Sequence, residues 1–311
     1  MIARVTERLP AGLHTLLGPG DDAAVVATPD GRVVATTDLL VDGRHFRRDW
    51  STPYDVGRKA AAQNLADIAA MGAVPTSLLV GLAAPPDLPA FWAERFADGL
   101  RDECDVVDAG VVGGDVVRSE LLMIAVTALG DLEGRSPVTR SGAQIGDVVA
   151  FAGRLGWAAA GLATLSRGFR SPRLVVDAHR RPQPPYHAGP DAAKAGATSM
   201  IDVSDGLVAD LGHVARASAV RIELTTDAFD VPAALADVGT ALATDPMRWI
   251  LGGGDDHALV ATFAATAALP TGWRPIGEVV AGETDDHGNT TGDVRVDGKP
   301  YLDGGFDHFR S

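Results

Sequence analysis

Three features of this chain predict an α/β protein of layered α+β type, built as two domains. Its 311 residues exceed what one compact core of ordinary size holds. Apolar runs of strand character and Ala-rich helical stretches follow in the order hairpin, helix, strand, helix, strand, strand, which predicts helices on one sheet face. The stretch Glu133-Gly134-Arg135-Ser136-Pro137 is polar, marked by Gly and Pro, and lies between two apolar strands. It sets the expected domains at 1–135 and 136–311.

Residues 22–28 and 32–38 flank the turn Pro29-Asp30-Gly31 and read as a β-hairpin. From Pro53 to Met71 the spacing of apolar residues is helical, and Gly72 is the stop signal. A buried strand is expected over Ser77–Ala83, then a helix from about Leu88 to Asp105 with Pro89 near its first turn. Val111-Val112 leads into Gly113-Gly114-Asp115, and Leu121–Leu129 is a long apolar strand. The second half restarts with a strand at Val148–Ala152 and an Ala/Gly helix from about Trp157. A strand ends at Asp202, and an amphipathic helix is expected over Asp205–Ala217. Val260–Phe263, Ile276–Val280 and Val294–Val296 read as further strands.

Composition narrows the function. A hydrophobic content of 46% and a charged content of 22% are those of a globular protein. Apolar stretches reach only about ten residues, so no membrane span is expected. The N-terminal residues lack the apolar core of a signal peptide, and a cytoplasmic enzyme is the expectation. Cys104 is alone, which excludes an internal disulfide framework and a cysteine zinc site; it reads as a core filler on a helix. A net charge of -14, with no basic stripe interleaved with aromatics, argues against a nucleic-acid partner. Lysine occurs at Lys59, Lys194 and Lys299 alone, none of them in a GxxxxGK[ST] loop. Any nucleotide phosphates would then be held by metal ions, arginines and backbone N–H groups.

The informative pattern is aspartate beside glycine, serine or threonine, at or near the ends of strands. It occurs at Gly20-Asp21-Asp22, Thr36-Thr37-Asp38, Gly113-Gly114-Asp115, Asp202-Val203-Ser204-Asp205 and Gly252-Gly253-Gly254-Asp255-Asp256. Asp67 joins them from the Ala-rich helix, one helical face with Asn64 and near Gln63. Carboxylates cannot gather without positive charge between them, and hard divalent cations, magnesium above all, favour such oxygens. Each segment also has a plain reading. Ser204 or Asp205 can cap the helix that follows, paired glycines occur in ordinary turns, and a lone His45 or loop Arg140 is often structural.

Taken in order, these segments resemble those of the thiamine-monophosphate kinase family, within the superfamily that includes aminoimidazole ribonucleotide synthetase. The likeness runs from Gly18-Pro19-Gly20-Asp21-Asp22 through Thr36-Thr37-Asp38, Gly43-Arg44-His45-Phe46 and Gln63-Asn64-Leu65-Ala66-Asp67. It continues with Gly113-Gly114-Asp115, Thr139-Arg140-Ser141-Gly142, Asp202-Val203-Ser204-Asp205-Gly206 and Gly252–Asp256, and ends at Gly305-Phe306-Asp307. That is essentially the whole chain.

The resemblance implies two α/β domains of the aminoimidazole ribonucleotide synthetase-like fold. The N-terminal domain (1–135) would bind ATP and metal and form a homodimeric barrel with its sheet; the C-terminal domain (136–311) would close the cleft that holds ATP and thiamine monophosphate. It implies several Mg2+ ions on Asp22, Thr36, Thr37, Asp38, Asp67, Asp115, Asp202 and Asp205. Gly114, Arg140 and Ser204 would contact ATP, and His45, Asp255 and Phe306 the thiamine phosphate. Asp115, Asp205 and Arg140 would be the catalytic residues. The family usually has Glu-Asp and an aromatic where this chain has Asp255-Asp256-His257, and can place a tyrosine where it has Val106-Val107. The implied reaction joins two polyanions in line. The acceptor phosphate is already ionised at pH 7, so positioning and charge neutralisation would suffice, without a general base or a phospho-enzyme.

Overall fold

The computed structural model describes residues 2–17, 24–284 and 290–301. Its backbone falls into two compact units, Met1–Ala69 with Ala73–Arg135, and Ala70–Gly72 with Ser136–Ser311.

The first unit holds α1 (Ile2–Thr6), β1 (Thr15–Leu17), β2 (Val25–Val26), β3 (Val34–Val41), α2 (Pro53–Ala70), β4 (Val74–Ala84), α3 (Ala90–Cys104), β5 (Gly110–Arg118) and β6 (Met123–Asp131). Four of the strands form a sheet in the order β3-β6-β4-β5. β6 is antiparallel to both β3 and β4, and β4 is parallel to β5. β3 and β5 are therefore the two edges. Ile124, Val126 and Ala128 of β6 and Leu78 of β4 are fully buried on one face. Helix α2 covers that face, burying Leu65 and Ile68 completely; burying each such side chain contributes about 1.5–3 kcal/mol. The opposite face carries Leu39 (49% exposed), Leu79 (38%) and Val117 (50%).

Helix α2 starts where its sequence says it should. The Thr52 hydroxyl accepts from the Asp55 amide at 3.2 Å, and the Asp55 carboxylate accepts from the Thr52 amide at 2.9 Å, a capping box with Pro53 at the first helical position. It ends at Ala70, and Gly72 follows with φ of 74°. Cys104, the last residue of α3, is buried, and burial pushes its thiol pKa up.

Two expectations change. The Thr28–Gly31 turn forms, with the Gly31 amide donating to Thr28 O at 2.9 Å, but it joins no hairpin. β2 pairs with β1, while β3 takes the long β6 as its partner over eight residues. The cause is burial: alternate residues of β3 face α2, and only a strand of equal length satisfies its ladder. The second change is that Asp38 and Asp115 lie inside β3 and β5 rather than at their ends.

The second unit contains β7 (Val148–Ala152), α4 (Trp157–Ser166), α5 (Arg173–Arg180), α6 (Ala188–Lys194), β8 (Ala197–Val203), α7 (Leu207–Ser218), β9 (Val220–Leu224), α8 (Ala233–Leu242), α9 (Pro246–Gly252), β10 (Ala258–Phe263), β11 (Arg274–Ala281), β12 (Glu283–Thr284), β13 (Thr290–Thr291), β14 (Asp293–Val296) and β15 (Lys299–Pro300). Seven strands form one sheet in the order β15-β14-β9-β11-β7-β10-β8. Every residue of β10 is buried, as its near-continuous apolar run requires. Strand β9 and the helices α5, α6, α8 and α9 were not among the sequence expectations. Among the described residues, no helix is long and apolar enough to cross a membrane.

Candidate active site

In the first unit, β3 and α2 bring together part of the predicted set. Thr36 and Asp38 project toward α2. The Thr36 hydroxyl donates to Asp67 Oδ2 at 2.7 Å, and the Gln63 amide donates to Asp38 Oδ2 at 3.1 Å. Asn64, fully buried, locks the two elements: its Oδ1 accepts the Asp38 amide at 3.1 Å, and its Nδ2 donates to Ala60 O at 3.0 Å. Thr37 faces the other side of the sheet, where its hydroxyl donates to Val126 O at 3.0 Å and accepts from Thr127 at 3.1 Å.

Gly114 and Asp115 stand on the far edge, in β5. The side chain that Gly114 lacks would lie 2.0 Å from Val80 O, so only glycine fits there. Asp115 is exposed, and its carboxylate accepts from the Val116 amide at 2.8 Å. β3 and β5 are three strand spacings apart, about 14 Å. Within this unit, Asp115 is therefore not assembled with Asp38 and Asp67.

His45 sits in the loop after β3, where its Nδ1 accepts the Val41 amide at 3.0 Å, leaving the proton on Nε2. The same loop lines an open concavity of about 420 Å³ with Asp42, Gly43, Arg47, Arg48 and Asp49. Arg48 pairs with Asp42 at 2.7 Å and Arg47 with Asp49 at 2.9 Å. Asp22 and Phe306 lie outside the described residues.

In the second unit, β8 delivers Asp202 into a buried position, where His257 Nδ1 lies 3.0 Å from its Oδ2. The chain then turns through Ser204–Gly206 into α7. Neither Ser204 nor Asp205 caps this helix. Instead Asp210, from inside it, accepts the amides of Ser204, Asp205 and Gly206 at 3.0, 3.0 and 3.1 Å. One oxygen thus shapes the whole turn. Burial, and then the charge of neighbouring Asp202, push the Asp210 pKa up to about 7, with Asp205 adding to the rise.

The glycine-rich segment packs on this turn. A side chain at Gly254 would lie 2.0 Å from Ser204 O, and the Asp255 amide donates to that same oxygen at 2.8 Å. Asp255 and His257 both adopt left-handed backbone, with φ of 70° and 51°. The Asp255 carboxylate lies 3.5 Å from His179 and 3.8 Å from His257. Asp256 points elsewhere: it is buried, accepts the Ala158 amide at 2.9 Å at the start of α4, and burial pushes its pKa up to about 7.

Arg140 is exposed, and its carbonyl accepts from Ser218 Oγ at 3.0 Å. His213 of α7 titrates below its ordinary value, first through burial and then through the charges of Arg216 and Arg140, with Asp205 opposing. Arg140 and Asp205 therefore act on one face of α7. Sequence reasoning missed Asp210, His179 and the His257–Asp202 pair, and it placed Asn64 beside Asp67 without its bond to β3. Only Asp210 left a signal, an acid one helical turn after the Gly206 that opens α7.

The donor chemistry fits a hard divalent cation. Carboxylates, hydroxyls and an amide make an all-oxygen set on β3 and α2, and before α7 the charges of Asp202 and Asp205 add to the rise in the Asp210 pKa. Yet among the described residues no three His, Cys, Asp or Glu side chains converge into a ready metal site.

Residues 20–132 match the family model described as AIR synthase related protein, N-terminal domain. The chain is 53% identical over 283 residues to the thiamine-monophosphate kinase of Mycobacterium tuberculosis, covering 89% of this chain and 84% of that one. It is similar to the crystal structure of the thiamine monophosphate kinase of Aquifex aeolicus, with a TM-score of 0.80, 32% identity and 90% and 91% of the two chains covered. It is equally similar to the structure of AaThiL complexed with AMPPCP and TMP, with a TM-score of 0.82, 33% identity and 93% and 91% covered. On this likeness, which extends over most of each chain, the protein belongs to the thiamine-monophosphate kinase family.

Proposed function

We propose that this enzyme transfers the γ-phosphoryl group of ATP to thiamine monophosphate, forming thiamine diphosphate in the cytoplasm. The observation that carries the reading is the likeness, over 91% of the relative's chain, to AaThiL complexed with AMPPCP and TMP. Magnesium ions would be held by Asp22, Thr36, Thr37, Asp38, Asp67, Asp115, Asp202 and Asp205. When bound, they would supply the positive charge that lets two polyanions approach and that neutralises the transferring group.

The chain's own residues do the positioning. The Ser204–Gly206 turn, braced by Asp210, presents Ser204 to ATP in a fixed conformation. Gly114 lets backbone approach the nucleotide closely, and the Arg140 guanidinium offers a two-pronged grip on a phosphate. On the acceptor side, His45 carries its proton on Nε2 and would donate it to the thiamine phosphate. Asp255, held between His179 and His257, would meet the cationic part of the substrate, with Phe306 against its rings. No residue need remove a proton, because the attacking oxygen is already anionic.

The exposed apolar face of the four-stranded sheet supports a homodimer in which two such sheets close into a barrel. Incubation with thiamine monophosphate, ATP and magnesium should yield thiamine diphosphate, read by chromatography. Absence of product from folded protein across plausible divalent metals would overturn the assignment. A burst of acid-stable labelled protein from γ-labelled ATP, without acceptor, would overturn direct transfer.

A further inference from the structure

We infer that His257 is a positioning residue for Asp202: its ring holds one oxygen of that carboxylate and leaves the other for a cation. The inference rests on the ligand reading above, in which Asp202 serves a magnesium ion. Both side chains are buried, and Nδ1 of the ring lies 3.0 Å from Asp202 Oδ2. A carboxylate that serves a metal is ionised and can only accept, so Nδ1 is the donor of this pair. The other ring nitrogen, Nε2, lies 3.8 Å from Asp255 Oδ1, beyond hydrogen-bond length. Of these two contacts, the one to Asp202 is the hydrogen bond. Groups that brace a ligating carboxylate in this way govern how tightly its metal is held.

The backbone is bent to make this contact. Asp255 and His257 take left-handed φ of 70° and 51° on either side of Asp256. Their side chains thereby come within 3.8 Å of each other, while Asp256 goes to the Ala158 amide on α4. Left-handed backbone is unfavourable for residues other than glycine and persists only where the surroundings hold it. Here the holders are the residues that flank Asp202 itself. The Asp255 amide donates to Ser204 O at 2.8 Å, and the His257 amide donates to Val203 O at 3.1 Å. Directly after His257, Ala258 and Leu259 of β10 pair with Val203 and Asp202 of β8. One ladder therefore delivers both the carboxylate and the ring that holds it. With each amide fixed, the ring cannot drift from Asp202 without breaking the ladder.

The test sets His257→Asn against His257→Gln in the full-length chain. The asparagine amide nitrogen stands as far along the side chain as Nδ1, whereas that of glutamine stands nearer the place of Nε2. Binding of Mn2+ without nucleotide is followed by titration calorimetry. His257→Asn should bind Mn2+ within about threefold of the parent, and His257→Gln about tenfold or more weakly, the scale on which a ligand's supporting hydrogen bond acts. His257→Phe keeps a ring in place, removes the donor and should match His257→Gln, so the comparison survives if one variant fails to fold. The KM for thiamine monophosphate at saturating Mn2+ should stay within about twofold in all three. Mn2+ binding kept by His257→Gln and lost by His257→Asn, or a raised KM with Mn2+ binding intact, overturns the inference and gives the ring to Asp255. Variants that melt earlier in chelator but bind Mn2+ like the parent when folded also overturn it, since the ring is then only packing. Asp202→Asn is titrated beside them: binding equal to the parent's there overturns the ligand reading of Asp202 instead.

Discussion

The two carboxylate-bearing regions are built on opposite principles. On β3 and α2, Asp38 and Asp67 are held by neutral partners, the Gln63 amide and the Thr36 hydroxyl, in half-buried positions. Before α7, Asp202, Asp205 and Asp210 crowd one another, and the last is pushed to about 7. The first arrangement meets each acid with a neutral hydrogen-bond donor. The second carries an electrostatic cost that a cation, a proton or His257 must offset. One region is preformed and the other is charged in both senses of loaded, so substitutions should separate them.

The largest effect is expected at Asp202. Asp202→Asn should lower kcat by about a thousandfold, the scale seen when one preorganised electrostatic group is lost, while the fold persists. Steady-state kinetics at saturating magnesium would measure it, and a fall of less than tenfold would remove Asp202 from the site. Next comes pH. The folded-state pKa of Asp256 is raised from 3.8 to about 7. Its contribution to stability is fully present below pH 3.8, declines as only the unfolded chain ionises, and is lost once pH passes about 7. The whole span amounts to about 4 kcal/mol at 1.36 kcal/mol per pH unit. Asp256→Asn should flatten the decline in denaturation midpoint between pH 4 and 7 by about one proton's worth. Asp210 keeps its own share, because its pKa is raised in the same direction.

Asn64→Ala should cost about 1–3 kcal/mol by stranding the Asp38 amide in the interior. Thermal unfolding would show this, and the region on β3 would lose rigidity where the turn before α7 would not. The smallest effect is expected for Thr36→Val, about 1 kcal/mol for one hydroxyl bond to Asp67. If Thr36→Val also weakened binding of Mn2+, followed by titration calorimetry, the hydroxyl would be a ligand and not only a brace.

Local signals carried much of the fold. The capping box at Thr52–Asp55, Gly72 and the apolar run of β10 each encode their element within a few residues. Pairing was illegible for β3, because its partner β6 lies some ninety residues away and the Pro29-Asp30-Gly31 turn offered a nearer, wrong one. At the site, residue types and order singled out Asp38, Asp67, Asp202 and Asp205 as candidates. The bracing groups were hidden, since Asn64 and His257 act across long separations that no spacing rule records. Nor could the sequence show that Asp38 and Asp115 occupy opposite edges, which follows from strand order alone.

The left-handed backbone at Asp255 and His257 bears on how this chain can vary. Non-glycine residues in that region cost of the order of 1–3 kcal/mol each, and branching at Cβ makes the cost worse. In a saturation library selected for folding alone, both positions would tolerate glycine and asparagine and reject valine and isoleucine. The aspartate at 255 therefore sits where drift is already confined to a narrow set of small polar residues. At this corner of the molecule the shape of the chain limits the available replacements before any substrate does.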